Sequence, residues 1–147
     1  MDRRNFIKST CLTCATSLGA LWLLQACKST KHVTNFQYNQ NKITILKSEF
    51  ITVKNDKTIQ RKFIVIKPEN LPFPIALYKL NDNDYKASLL QCSHQGCELS
   101  PYETTMVCPC HGAEFNTKGE VTQGPAETSL KTFITTYDND NIYIQIN

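Results

Sequence analysis

The chain has 147 residues, 41% hydrophobic and 20% charged, a composition that suits one modest soluble domain and excludes a collagen-like or disordered protein. Setting aside the first 27 residues leaves 13 basic against 12 acidic residues, a net of +1, and no basic run of four follows Lys28, which argues against nucleic acid as a partner. The seven cysteines form two groups: Cys11, Cys14 and Cys27 near the start, then Cys92, Cys97, Cys108 and Cys110.

The first 27 residues read as an export segment or membrane anchor. Arg3 and Arg4, followed by Phe6, Ile7 and Lys8 and then an apolar run over 11–26, resemble a twin-arginine export signal. A spanning helix needs about 20 apolar residues. This run is shorter, and Thr13, Thr16, Ser17, Gly19 and Gln25 dilute it. Its end, Leu24-Gln25-Ala26-Cys27, turns polar at once and resembles a lipobox, with Cys27 as the lipidated first residue of the mature protein. The alternative is an uncleaved signal anchor. Either way the expectation is an exported domain, anchored to the membrane on the periplasmic side of the cell envelope. Cys11 and Cys14 are spaced as C-x-x-C but lack the strand-to-helix setting that a redox pair needs.

Residues 28–41, rich in Lys, Ser, Thr, Asn and Gln, show no apolar period and read as a flexible tether, with His32 solvated on it. The domain is expected over 42–147. Short β-branched or aromatic runs at 43–53, 62–66, 75–80, 86–91, 130–137 and 142–146 are punctuated by Asn-Asp and Pro clusters. Ile142, Ile144 and Ile146 put three isoleucines on one face. The expected class is all-β, an antiparallel sandwich or barrel.

Between the runs ending at Gln91 and starting at Leu130 lies a ligand-bearing insert. Two boxes define it: Cys92-Ser93-His94-Gln95-Gly96-Cys97 and Cys108-Pro109-Cys110-His111-Gly112. Two sulfur and two nitrogen ligands suit a tetrahedral zinc ion, or two irons held one by thiolates and one by imidazoles. Composition does not separate these. Spacing helps, because zinc fingers group Cys with Cys and His with His, whereas each box here mixes them.

The pattern C-x-H-x-G-C with C-P-C-H-G closely resembles the Rieske family of the cytochrome bc and b6f type. The resemblance implies a Rieske fold and one [2Fe-2S] cluster per chain. It implies that Cys92 and Cys108 bind the inner iron as thiolates, that His94 and His111 bind the outer iron near the surface, and that Cys97 and Cys110 pair as a disulfide tying the loops together. Such a bond needs an oxidising compartment, in keeping with export. Gly124-Pro125-Ala126 is similar to the family's proline loop over the cluster.

Histidine ligation places family potentials between about −150 and +300 mV. High-potential members carry a Ser after His-Gly and a Tyr two residues on; here those places hold Ala113 and Phe115, which implies a lower potential. Gln95 stands where bc-type members carry an apolar residue, which weakens the case for docking on a cytochrome b. No nucleophile–base pair lies outside the ligand set, so the expected role is single-electron transfer as a membrane-tethered subunit of an oxidoreductase, in a cytochrome bc-like complex or with another cytochrome or oxidoreductase partner. A small Rieske subunit of a molybdenum oxidase, or an exported Rieske ferredoxin, is the neighbouring reading. A structural zinc-binding lipoprotein is the reading from another class. The oxygenase branch lacks the cross-linking cysteines that Cys97 and Cys110 supply here.

Overall fold

The structure is a computed structural model and describes residues 30–54 and 56–146. The expected export segment over 1–27 and the lipidation at Cys27 lie outside the described residues. Among the described residues no helix is long and apolar enough to cross a membrane.

An eight-stranded sheet forms the scaffold, in the order β1-β6-β7-β8-β13-β14-β3-β2. Its strands are β1 (His32–Val33), β2 (Gln37–Asn39), β3 (Lys42–Leu46), β6 (Phe63–Ile66), β7 (Ile75–Asn81), β8 (Asp84–Leu89), β13 (Thr132–Tyr137) and β14 (Asn141–Gln145). A two-stranded ribbon, β4 (Ile51–Lys54) with β5 (Lys57–Gln60), projects before β6. The insert forms its own four-stranded sheet: β9 (Ser100–Pro101), β10 (Thr105–Val107), β11 (Glu114–Asn116) and β12 (Val121–Gln123).

The all-β expectation holds, with the sheet curled into a half-barrel. Alternation decides where each strand points. Ile43, Ile45, Ile142, Ile144 and Ile146 turn into a core shared with Phe133, Tyr85 and Leu89. In β6 and β7 both faces are covered: Ile64, Ile66, Ile75 and Leu77 enter that core, while Val65, Ala76 and Tyr78 enter a second one with Met106, Phe115, Cys92 and Cys108. Strands buried on both sides read as continuous apolar runs, as these do. The insert therefore lies on the outer face of β6 and β7, and its sulfur ligand candidates are set into that second core.

Three details depart from the sequence reading. The sheet reaches into 28–41, the expected tether: β1 pairs with β6 in parallel and β2 pairs with β3, and Val33 is buried. Backbone pairing, which leaves no period in so short a stretch, builds these strands, and it makes β1–β6 a parallel pair in an otherwise antiparallel scaffold. The run 43–53 is broken by a 3-10 turn at Lys47–Phe50, because burying Phe50 takes the chain out of the strand. The polar strand β5 carries little apolar signal and exists through its register with β4.

Candidate metal centre

The two boxes fold alike. In the first, the N–H of Cys92 donates to the carbonyl of Cys97 at 2.8 Å and that of Gly96 donates to the carbonyl of Cys92 at 2.8 Å. In the second, Cys108 donates to Ala113 at 2.8 Å and Gly112 donates back to Cys108 at 3.0 Å. Each loop closes through a glycine in the left-handed region, Gly96 at φ 73° and Gly112 at φ 75°, where a side chain would be strained. β9, β10 and β11 fix the two loops relative to each other, with Met106 paired to Pro101 and to Phe115.

The structure brings the six cysteine and histidine residues of the boxes together. Cys92 and Cys108 are free thiols, 2% and 1% exposed, hydrogen-bonded to each other in a core of Leu90, Leu99, Met106 and Phe115. Burial pushes the Cys92 thiol up, opposed by N–H donation from His94 and reinforced by Cys108. Burial also raises Cys108, but the N–H of Cys110, the Cys92 thiol and the N–H of His111 outweigh it and hold Cys108 below the usual thiol range. Backbone N–H groups are already aimed at both sulfurs, ready to stabilise thiolate charge. On the outer side His94 and His111 are exposed, their rings edge to face with centroids 5.1 Å apart.

Cys97 and Cys110 form a disulfide that joins the two loops. The sulfurs of Cys97, Cys108 and Cys110 all lie within 4.8 Å of one another, but two of them are spent in the disulfide and offer no thiolate. That leaves Cys92 and Cys108 as the free thiols among the described residues, with the disulfide packed beside Cys108.

Residues 30–134 match the family model of the Rieske [2Fe-2S] domain. The chain belongs to the Rieske family. A cytochrome b6-f complex iron-sulfur subunit of Prochlorococcus marinus (strain MIT 9303) is 39% identical over 56 residues, 36% of this chain and 31% of that protein. The chain thus spans about a third of the length of the curated relatives it matches. Among solved structures, a carbazole 1,9a-dioxygenase complex of reduced oxygenase and oxidized ferredoxin superposes with a TM-score of 0.54 at 19% identity, covering 73% of this chain and 94% of that one, which shows the shared fold. The plasma membrane Rieske protein PetC3 from Synechocystis PCC 6803 is 32% identical, with a TM-score of 0.49, over 56% of this chain and 85% of that chain.

Membership of the Rieske family implies a [2Fe-2S] cluster, which replaces the zinc reading. The donor set fits that cofactor: two thiols on a dry inner side and two imidazoles on a wet outer side, at the ends of matched loops. A third loop supports them, and sequence reasoning found only its proline motif. Ahead of the cis Gly124–Pro125 bond, Gln123 donates to the Gly112 carbonyl at 2.9 Å, and Ser93 donates to the Thr128 carbonyl at 2.6 Å. Gln123 thus holds this loop to the second box and Ser93 holds it to the first. Nothing in their spacing marks them, since each bonds a backbone group brought near only by folding.

Proposed function

We propose that Cys92 and Cys108 hold one iron of the cluster as thiolates, that His94 and His111 hold the other, and that the domain works as a membrane-tethered, single-electron redox subunit. The observation that carries this is the pairing of two buried, mutually hydrogen-bonded thiols with two exposed imidazoles 5.1 Å apart. Bound there, the cluster supplies a one-electron couple whose potential imidazole ligation raises above that of all-cysteine clusters. The protein keeps water from the sulfur side, aims backbone N–H groups at the thiolates and leaves the imidazole edge open to a partner.

The partner in this reading is a cytochrome or an oxidoreductase subunit, and the site is the periplasmic face of a membrane, reached through the 1–27 leader with Cys27 lipidated. Similarity to cytochrome b6-f iron-sulfur subunits supports membership of a membrane redox complex of cytochrome bc-like kind. Ala113 and Phe115, both fully buried and without hydroxyls, favour an electron carrier of lower potential than quinol-oxidising members, such as a small subunit of a molybdenum oxidase or an exported ferredoxin.

Iron and acid-labile sulfide analysis of the full chain, with electron paramagnetic resonance after reduction, tests the ligand assignment. Cys92→Ser, His94→Ala, Cys108→Ser and His111→Ala should each abolish the low-average-g signal, while Ser93→Ala should keep it. A full cluster signal in any of the first four variants sinks the assignment.

A further inference from the structure

The ribbon of β4 and β5 stands apart from both cores. All but one of its described residues are exposed, and three of them are large and apolar: Ile51 at 46%, Val53 at 69% and Ile59 at 41%. Near its tip Lys54 lies directly across from Lys57, a like-charge pair that costs stability in water. A two-stranded ribbon is itself marginal when nothing covers it. The register puts Ile51 and Val53 on one face and Ile59 with Lys54 and Lys57 on the other, so a narrow ribbon entering edge-on by its tip immerses both, and the headgroup region of an anionic bilayer takes apolar side chains and lysines together.

The chain's own path points to the same surface. Lys31 is pinned at the root of this ribbon: its ammonium bonds the Glu49 carboxylate at 2.8 Å and the Glu49 carbonyl at 2.7 Å, two residues before β4 begins. Cys27 lies three residues before Thr30, a reach of at most about 11 Å. A lipid on Cys27 therefore brings the ribbon's root to the membrane surface, with no long tether between.

Resting on the membrane-tethered reading above, we propose that the β4–β5 ribbon docks in the interface of an anionic membrane and fixes the orientation of the domain on it. Strand direction then sets where the cluster site lies. The ribbon joins β6 at its Phe63 end, whereas the first ligand loop leaves β8 beyond Leu89, level with Ile75 and Ile66 at the opposite end of β6. The ligand loops face away from the lipid, and the partner is a redox protein that meets the cluster from the aqueous side.

The test uses the full, cluster-loaded chain in vesicles of phosphatidylethanolamine and phosphatidylglycerol, dried into oriented multilayers. The reduced cluster's resonance should change with the angle between membrane and field. Val53→Glu and the Lys54→Glu/Lys57→Glu pair should lose that dependence while still sedimenting with vesicles and keeping the same frozen-solution spectrum. An angle-independent spectrum in the unaltered protein, or an unchanged dependence in both variants, overturns the docking while leaving the tether intact. Failure of the unaltered chain to sediment with vesicles overturns the tether, and the docking with it.

Discussion

The hydroxyl of Tyr78, on scaffold strand β7, donates to the backbone carbonyl of Tyr102 at 2.7 Å, in the turn between β9 and β10 of the cluster-bearing sheet. A second acceptor, the Thr105 carbonyl, lies at 3.3 Å, and the ring packs on Phe63. Tyr78→Phe keeps the packing but leaves the Tyr102 carbonyl short of a donor, while the Thr105 carbonyl keeps the Tyr102 N–H, at a cost of about 1–3 kcal/mol. Denaturant unfolding of the cluster-loaded protein checks it. Burial pushes the Tyr78 ionisation above its ordinary value of 10.0, outweighing the pull of the Tyr102 bond. A raised folded value contributes stability below pH 10 that is lost as the solution becomes more alkaline. Tyr78→Phe should therefore flatten the alkaline fall in stability.

The Cys97–Cys110 disulfide closes a short loop, with a sequence separation of 13. By loop-closure entropy its removal costs about 3 kcal/mol. The Cys97→Ala/Cys110→Ala protein should unfold at lower denaturant, and its visible absorption should bleach faster on warming than that of the unaltered protein. Equal bleaching rates would show that the two loops hold register without the cross-link.

Ala113 and Phe115 share the buried core with Cys92 and Cys108. A hydroxyl there that favours the reduced cluster by about 1.4 kcal/mol raises a one-electron potential by about 59 mV. Redox titration of Ala113→Ser, Phe115→Tyr and the double variant should give midpoints rising in that order of magnitude for each effective bond. Midpoints that stay at the starting value would remove the hydroxyls as the reason for a low potential.

At the turn after β13, the Asp138 carboxylate accepts from the Tyr143 hydroxyl at 2.5 Å and from the backbone N–H groups of Asn141 and Asp140. The Tyr143 bond, then these N–H groups, lower its pKa from 3.8 to about 2. A depressed folded value contributes stability above pH 3.8 that is lost as pH falls toward 2. Asp138→Asn should lose stability at neutral pH and show a shallower decline across that acid window, measured by thermal unfolding at stepped pH.

Strands buried on both faces announced themselves, since Ile64-Val65-Ile66 and Ile75-Ala76-Leu77-Tyr78 leave no polar side. The first box and the second were legible for a different reason: each packs Cys, His and Gly into six residues or fewer, so local spacing already limits the ligand geometry. The remainder depended on contacts distant in sequence. β1 consists of two residues, His32–Val33, whose strand character comes from pairing with Val65 and Ile66. β9 to β12 are two or three residues each, too short to show a period, and exist through pairing with one another. Ser93 and Gln123 become supports only once the third loop arrives.

The contrast between the sunken sulfurs and the exposed imidazoles also governs traffic. Cys92 and Cys108 sit behind Leu90, Leu99, Met106 and Phe115, while His94 and His111 form the accessible edge. In the electron-carrier role proposed above, a single open edge admits and releases the electron through the same doorway. Donor and acceptor must then take turns at it, and in turnover each should act as a competitive inhibitor of the other.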